Sequence, residues 1–324
     1  MPKAIRVHEH GGPEVMRYED VTVGDPGPGE LRIRHTAIGV NFIDTYFRSG
    51  LYPSASMPFV LGAEGAGVVV AVGKDVAGFK EGDRVAYVAS PGSYAEERLL
   101  AAASVVKTPD GVSDETAAAM MLKGMTAQYL LRRTYAVKPG DVVLFHAAAG
   151  GVGLIACQWA KHLGATVIGT VGSHDKGELA KAHGCDHVIY YRDEDFVERV
   201  NEITGGERCH VVYDGVGKAT FPASLDCLRP FGLFASFGSS SGPVDAFNIG
   251  ILAQKGSLFA TRPTLFSHIA KRKDLEEVSG ELFDVVASGA VKIPIHSRAP
   301  LADAVAVHRA LEGRETTGST IMIP

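Results

Sequence analysis

The run His146-Ala147-Ala148-Ala149-Gly150-Gly151-Val152-Gly153-Leu154 constrains this chain most, because it joins an apolar strand, Val142 to Phe145, to an apolar helix pattern ending near Leu163. Small residues at Ala147, Gly150 and Gly153 keep the three-residue spacing of a dinucleotide-binding turn. Such a turn needs a tight bend, close approach of the main chain to a pyrophosphate and tight packing of helix on strand, with the helix N-terminus facing the phosphate charge. A glycine-rich turn that merely packs strand against helix is the ordinary alternative, and context decides. A second strand is expected at Thr166 to Thr170, then a helix at Lys176 to His183, a strand at His187 to Tyr190, a helix at Asp193 to Thr204 and a strand at Val211 to Asp214. A helix at Phe221 to Leu228 and strands at Leu233 to Phe237 and Leu258 to Thr261 complete the series. Strands alternating with helix-length segments specify an α/β fold with a parallel, doubly wound sheet.

Val142 to Ala160 carries no charged residue and approaches the length of a membrane span. Glycines, His146 and Gln158 interrupt it, so strand, turn and helix explain it better. Lys3, Arg6, His8 and Glu9 break the start before an apolar region forms, so no signal peptide is expected and a soluble, cytoplasmic protein is. With 324 residues, 46% hydrophobic and 21% charged, the chain can bury a large core and divide into two domains. A net charge of −5 and a pI near 6.2 give no reason to expect a nucleic acid or membrane partner. Cys157, Cys185, Cys209 and Cys227 are widely spaced within the nucleotide region and read as reduced buried thiols. His183-Gly184-Cys185-Asp186-His187 looks superficially like a metal site, but it spans a helix end and a strand start and lacks a second cluster at ligand spacing. The other histidines are scattered and carry no reading.

The region from Met1 to about Pro109 differs in character. Short apolar runs, Leu31 to Ile38, Gly67 to Val72 and Arg84 to Val88, are broken by Gly, Pro and Asp, which predicts an irregular, largely antiparallel β domain. Asp25-Pro26-Gly27-Pro28-Gly29 reads as a surface turn. From about Pro263, helical periodicity at Asp274 to Ser288 and Leu301 to Leu311 and a strand-like Thr320 to Ile323 predict a tail that folds back onto the first domain.

Gly62-Ala63-Glu64-Gly65-Ala66-Gly67-Val68-Val69-Val70-Ala71-Val72-Gly73, then Gly82-Asp83-Arg84-Val85 and the Ala147 to Gly153 turn, resemble the zinc-free quinone oxidoreductase branch, ζ-crystallin-like, of the medium-chain dehydrogenase/reductase superfamily. The likeness extends through Gly39 to Tyr46, Arg48 to Pro53, Leu122 to Ala127 and Thr261-Arg262-Pro263, and covers essentially the whole chain. It implies a GroES-like β-rich catalytic domain, residues 1–121 and 263–324, and a Rossmann NADPH-binding domain, residues 122–262, with a substrate cleft at their junction. It also implies a homodimer paired through the nucleotide domains.

In the zinc alcohol dehydrogenases of that superfamily a Cys stands at the position matched by Asn41 and a His at that matched by Ala63. Neither Asn nor Ala supplies a thiolate or imidazole, and no metal is expected. Without a Lewis acid, simple alcohol and ketone interconversion is disfavoured, whereas a conjugated acceptor delocalises the incoming charge itself. The second strand ends in Gly169-Thr170-Val171-Gly172-Ser173, with Lys176 three residues on, where an NAD-specific site places Asp or Glu. Ser173 and Lys176 favour a 2′-phosphate and hence NADPH; Asp175 pulls toward NADH tolerance, and Lys176 as a solvated helix residue is the plain alternative.

The resemblance adds Ala149, Gly150, Gly151 and Val152 at the pyrophosphate, and Gly172 and Tyr191 at the adenosine. Phe237, Gly238 and Arg314 fall elsewhere along the cofactor, with Lys123 and Thr126 near the ribose and nicotinamide. Asn41, Asp44 and Tyr46 fall where a helix is expected to begin, positions 41 and 44 on one face and Tyr46 and Gly50 on another. By resemblance this segment lies beside the nicotinamide. There Asn41 orients the carboxamide or a substrate oxygen, Tyr46 and Tyr52 line the acceptor pocket, and Arg262 stabilises charge on a reduced quinone oxygen. Ordinary packing for the tyrosines and a domain brace for Arg262 stand as alternatives. The expected activity is NADPH-dependent quinone reduction. The rival enzyme reading is reduction of α,β-unsaturated carbonyl double bonds, and the rival class is a nucleotide-binding structural or RNA-binding protein, against which the acidic balance weighs.

Overall fold

The computed structural model describes residues 1–54, 56–89 and 91–324. The chain divides into two compact units, Met1–Lys123 with Lys271–Phe283 and Ile293–Pro324, and Gly124–Ala270 with Asp284–Lys292.

The first unit opens with strands β1 (Lys3–Val7), β2 (Met16–Asp20) and β3 (Glu30–Val40), helix α1 (Phe42–Ser49), and strands β4 (Phe59–Val60), β5 (Glu64–Val72), β6 (Arg84–Val88), β7 (Glu97–Ala101) and β8 (Val105–Lys107). In the first half of β3, Leu31, Ile33, His35 and Ala37 are buried while Arg32, Arg34 and Thr36 are not, the two-residue period of a half-buried strand. Its second half, Ile38 to Val40, is buried on both faces and leads into α1. α2 (Asp114–Gln128) follows and is continued by a π-helical turn, Tyr129–Thr134.

The second unit alternates strand and helix: β9 (Val142–Phe145), α3 (Gly151–His162), β10 (Thr166–Val171), α4 (His174–Ala182), β11 (His187–Tyr190), α5 (Phe196–Ile203), β12 (Cys209–Asp214), β13 (Leu228–Ser236), α6 (Gly250–Gln254), β14 (Phe259–Thr261) and α7 (Leu265–His268). All its strand pairs are parallel, in the order β11-β10-β9-β12-β13-β14. This is the doubly wound order, with the strand direction of travel reversing between β9 and β12. Helices of this length are marginal alone and hold by packing. Leu144, Ile168, Ile189, Val212 and Phe234 of the sheet share one core with Val200 of α5.

The tail contributes α8 (Arg272–Ala287), β15 (Ile295–Pro300), α9 (Ala304–Glu312) and β16 (Ser319–Ile323). β16 pairs antiparallel with β3 and parallel with β15, in a sheet ordered β15-β16-β3-β5-β6-β8. Leu301, Ala304, Val307 and Met322 join Ile5, Val7, Ile38, Leu61 and Tyr94 in one core.

Two expectations need correction. Phe221 to Leu228 is not an α-helix: a 3₁₀ turn, Ala223–Cys227, forms there, closed by Leu225 N–H donating to Pro222 O at 2.9 Å, because β13 takes the chain from Leu228 onward and leaves only a short turn before it. The adjoining strand starts at Leu228, five residues before the apolar run that marked it. The single helix read over Leu301 to Leu311 is a 3₁₀ turn, Leu301–Asp303, followed by α9.

Candidate functional site

In the second unit the turn between β9 and α3 carries the first candidate site. Ala147 takes a left-handed conformation (φ 56°), and Gly150 is the N-cap of α3, donating its N–H to Ala147 O at 2.9 Å. A Cβ on Gly153 would lie 2.6 Å from both Ala147 O and Ala148 O, main-chain atoms with nowhere to move. As at the start of any α-helix, the first-turn N–H groups of Gly151, Val152 and Gly153 have no intrahelical partners, and they stand at the positive end of a twelve-residue helix. No side chain caps them.

His146, dismissed above with the scattered histidines, braces this turn. Its Nδ1 lies 3.0 Å from Thr170 Oγ1 and its Nε2 3.0 Å from Ser224 Oγ, and burial holds its pKa below the ordinary imidazole value. Asp214, fully buried at the end of β12, accepts from the Val216 and Gly217 N–H groups and from Thr220 Oγ1 at 2.6 Å. The carboxyl ends of β9, β10 and β12 are thus tied by one buried polar network. Beyond β13, Phe237 packs on Phe145 with ring centroids 5.6 Å apart, and a Cβ on Gly238 would strike Gly215 O at 2.5 Å.

At the end of β10, Ser173 caps α4 by position, yet its hydroxyl makes no capping bond. Tyr191 lies over Gly172: a Cβ there would be 2.6 Å from the phenol oxygen. Gly172, Ser173, half-buried Lys176 and exposed Tyr191 therefore gather at one strand end where no carboxylate ends the strand, and Asp175 follows in the first turn of α4. Thr126 is buried in α2. Arg262 follows β14, with Nη1 donating to Pro263 O at 3.1 Å.

In the first unit, Asn41 is the N-cap of α1 and Gly50 ends that helix at φ 84°. Asp44, fully buried, accepts from the Asn41 N–H at 2.9 Å. The pair has the layout of a capping box, but the Asp44 N–H donates to Asn41 main-chain O. The Asn41 side chain turns elsewhere: Nδ2 donates to Glu64 Oε1 at 2.7 Å. Lys123, expected near the cofactor ribose and nicotinamide, gives two of its three ammonium donors to Glu64 Oε1 and Val40 O, both at 3.0 Å, because a buried carboxylate requires a cation. Tyr46 and Tyr52 pack together, centroids 5.2 Å apart, with Phe42 and Phe47 against them. Arg314 lies beyond α9 at φ 60°.

Behind α1 runs a chain of buried groups: Arg48 Nη1 to His308 Nδ1 (2.8 Å), His308 Nε2 to Tyr94 Oη (3.0 Å), Tyr94 Oη to Asp44 Oδ2 (2.8 Å). Arg48 only donates, so His308 accepts at Nδ1 and carries its hydrogen on Nε2; every donor then points toward Asp44. Burial pushes the Asp44 carboxyl up to about 7, and burial together with Arg48 pushes His308 down to about 3.

Glu64 is the residue the sequence reading passed over. Its signal was present, a carboxylate set among glycine, alanine and valine in a strand, which must find a partner if buried. The 183–187 cluster is structural: Asp186 accepts from Val167 N–H and pairs with Lys161, and His183 Nδ1 lies 2.7 Å from Leu179 O. Among the described residues no group of three or more His, Cys, Asp or Glu is disposed to hold a metal, the four cysteines are free and buried, and no helix is long and apolar enough to cross a membrane.

The model of the alcohol dehydrogenase GroES-like domain matches residues 27–137, and that of the zinc-binding dehydrogenase residues 151–282. The chain is 53% identical to a quinone oxidoreductase of Pseudomonas aeruginosa and 48% identical to a 2-haloacrylate reductase of Burkholderia sp., covering 100% of this chain in both and 100% and 99% of those proteins. The crystal structure of Escherichia coli quinone oxidoreductase complexed with NADPH superimposes with a TM-score of 0.97 at 51% identity, over 99% of this chain and 100% of that one. The chain belongs to the quinone oxidoreductase family of the medium-chain dehydrogenase/reductase superfamily.

Proposed function

We propose that this chain reduces quinones with NADPH, without zinc. The observation that carries the reading is the β10 end, where Gly172, the uncapped Ser173 hydroxyl and Lys176 meet with no terminal carboxylate, next to an α3 N-terminus whose N–H groups lack partners. The residues fit the cofactor because only a glycine at 153 lets α3 pack this closely on Ala147 O and Ala148 O, which sets the first-turn N–H groups of the helix at the strand end. Bound NADPH supplies the hydride. The α3 turn, from Ala149 to Val152, holds the pyrophosphate; Ser173 and Lys176 donate to the 2′-phosphate; Tyr191 walls the adenosine, and Phe237, Gly238, Thr126 and Arg314 complete the set. Asn41 serves the nicotinamide, with Asp44 holding its main chain and Lys123 acting through Glu64. Tyr46 and Tyr52 form an aromatic wall for the acceptor, and Arg262 meets charge developing on its oxygen.

The test is oxidation of NADPH by purified, chelator-treated protein, with 1,4-benzoquinone set against an enone panel. Donors to a charged group contribute about 1.5–3 kcal/mol each, so NADPH should exceed NADH in kcat/KM by at least about tenfold. Equal efficiency would remove the 2′-phosphate reading. A second reading, reduction of an activated double bond, is favoured by the relative described as a 2-haloacrylate reductase, and enone turnover with quinone silence would establish it. Silence on every acceptor would favour a binding role, structural or toward RNA.

The cytoplasmic, homodimeric state belongs to the same proposal. β14 is an edge strand, with Phe259 60% exposed and Phe231 of neighbouring β13 71% exposed, an apolar edge of the kind that pairs with another strand. Phe259→Lys should convert dimer to monomer in sedimentation velocity, and an unchanged dimer would place the interface elsewhere.

A further inference from the structure

Ala147 opens the cofactor turn at φ 56°, a conformation that disfavours a side chain, and its main-chain oxygen is where the turn closes: the Gly150 N–H donates to it at 2.9 Å, and α3 packs against it through Gly153. Something must hold an alanine there. Thr170, near the end of β10, meets two successive peptides of the turn: its main-chain O accepts from the Ala148 N–H at 3.0 Å, and its Oγ1 faces the Ala147 N–H at 3.4 Å. The Thr170 hydroxyl is buried, and its two bonded neighbours are that N–H and His146 Nδ1. Only the ring nitrogen can take its hydrogen. Burial keeps His146 uncharged at neutral pH, so with Nδ1 accepting, Nε2 carries the ring hydrogen and donates to Ser224 Oγ at 3.0 Å. Ser224 in turn has Thr220 O at 3.0 Å for its own hydrogen. Every hydrogen along the chain then has an acceptor, and a lone pair of Thr170 Oγ1 is left facing Ala147.

We infer that His146 and Thr170 are a positioning pair for the pyrophosphate of the cofactor: the ring fixes the direction of the hydroxyl, and the hydroxyl holds Ala147 so that the N–H groups of Gly151, Val152 and Gly153 stand preset for the phosphates. Both side chains lie buried beneath the turn, 1% and 2% exposed, and act through its main chain. This rests on the NADPH reading above. The pyrophosphate is common to NADPH and NADH, so the pair acts on both alike, whereas Ser173 and Lys176 answer to the 2′-phosphate. A pair that only stabilised the fold would lower the melting temperature and leave the affinity of the folded protein unaltered.

Dissociation constants for NADPH, NADH and 2′-AMP, which carries the adenosine and 2′-phosphate without a pyrophosphate, are compared by calorimetry at a temperature where circular dichroism shows each variant folded. Thr170→Val keeps the shape and removes the hydroxyl. The Ala148 N–H keeps its bond to the main-chain O, so the turn still forms while Ala147 loses its hold. NADPH and NADH should both weaken about tenfold, ~1.4 kcal/mol, with their ratio kept, and 2′-AMP should bind as it does to wild type. His146→Leu removes the acceptor that orients the hydroxyl and should give the same pattern, so the test survives a poorly folding Thr170 variant. The double variant should be no weaker than either single one, since both act through one contact. Thr170→Ser, which keeps the hydroxyl, should retain the wild-type constants. Unchanged affinity for both dinucleotides in Thr170→Val and His146→Leu overturns the inference. So does a 2′-AMP constant that weakens by the same factor, or a double variant weakened about a hundredfold, the product of two independent effects. Wild type that binds neither dinucleotide refutes the NADPH reading, and the inference with it.

Discussion

Arg48→Met should lower the melting temperature by on the order of 10 °C, although Arg48 touches no part of the proposed cofactor site. The side chain is 1% exposed and spends its donors on Gly11 O (3.1 Å), His308 Nδ1 (2.8 Å) and Glu312 Oε1 (2.6 Å). Methionine matches its volume and none of its hydrogen bonds. His308 Nδ1 would then be a buried acceptor facing a thioether, Gly11 O would lose a donor, and the tautomer that lets His308 donate to Tyr94 would lose its cause. Removing one partner from a buried charged network costs about 3–5 kcal/mol, and each kcal/mol is worth about 2–4 °C in domains of this size. Glu312→Gln is the control. The Glu312 side chain is 37% exposed, solvent screens the pair, and its loss should stay within about 1 kcal/mol. Calorimetry on the two variants decides; equal losses would make the surface pair, and not the buried chain, the source of the stability.

That network explains what a linear reading misses. Val142–Phe145 and His187–Tyr190 form where the sequence places them, since each is a short apolar run bounded by turn residues. Patterning that is local in the chain is legible there. Arg48 and His308 lie 260 residues apart, and neither carries a mark of the other. Asn41 and Asp44 stood out because one short segment holds both, whereas Glu64, 23 residues from Asn41, reveals its role only when β3 and β5 pair. Helix ends shift for a related reason. Whether Phe221 to Leu228 coils as α or 3₁₀ depends on where β13 begins and on the partner it finds in β12. Periodicity alone weighs neither.

Raising the pH from about 4 to about 7 should weaken the native state through Asp44, and Asp44→Asn should abolish that component. In the unfolded chain this carboxyl ionises near 3.8; burial pushes the folded value up to about 7, against the hydrogen bonds from Asn41 N–H and Tyr94 and the charge of Lys123, and with that of Glu64. Between those values the folded protein holds a proton that the unfolded chain has released. The stability so gained is complete below the unfolded value and is lost as pH rises through the folded one. At about 1.4 kcal/mol per unit, three units amount to on the order of 4 kcal/mol. The atom that takes the proton is identifiable: Oδ2 accepts two hydrogen bonds and Oδ1 none. His35 and His308 work in the opposite direction. Burial holds them down to about 4 and about 3, so below about 6.5 the unfolded chain gains protons that the folded one refuses. Both histidines are intact in the variant, and their contribution cancels when wild type and Asp44→Asn are compared at each pH. The stability difference, wild type minus variant, should therefore fall steadily across this window. A flat difference would mean that Asp44 is ionised throughout, its charge carried by the donors that run back through Tyr94 and His308 to Arg48.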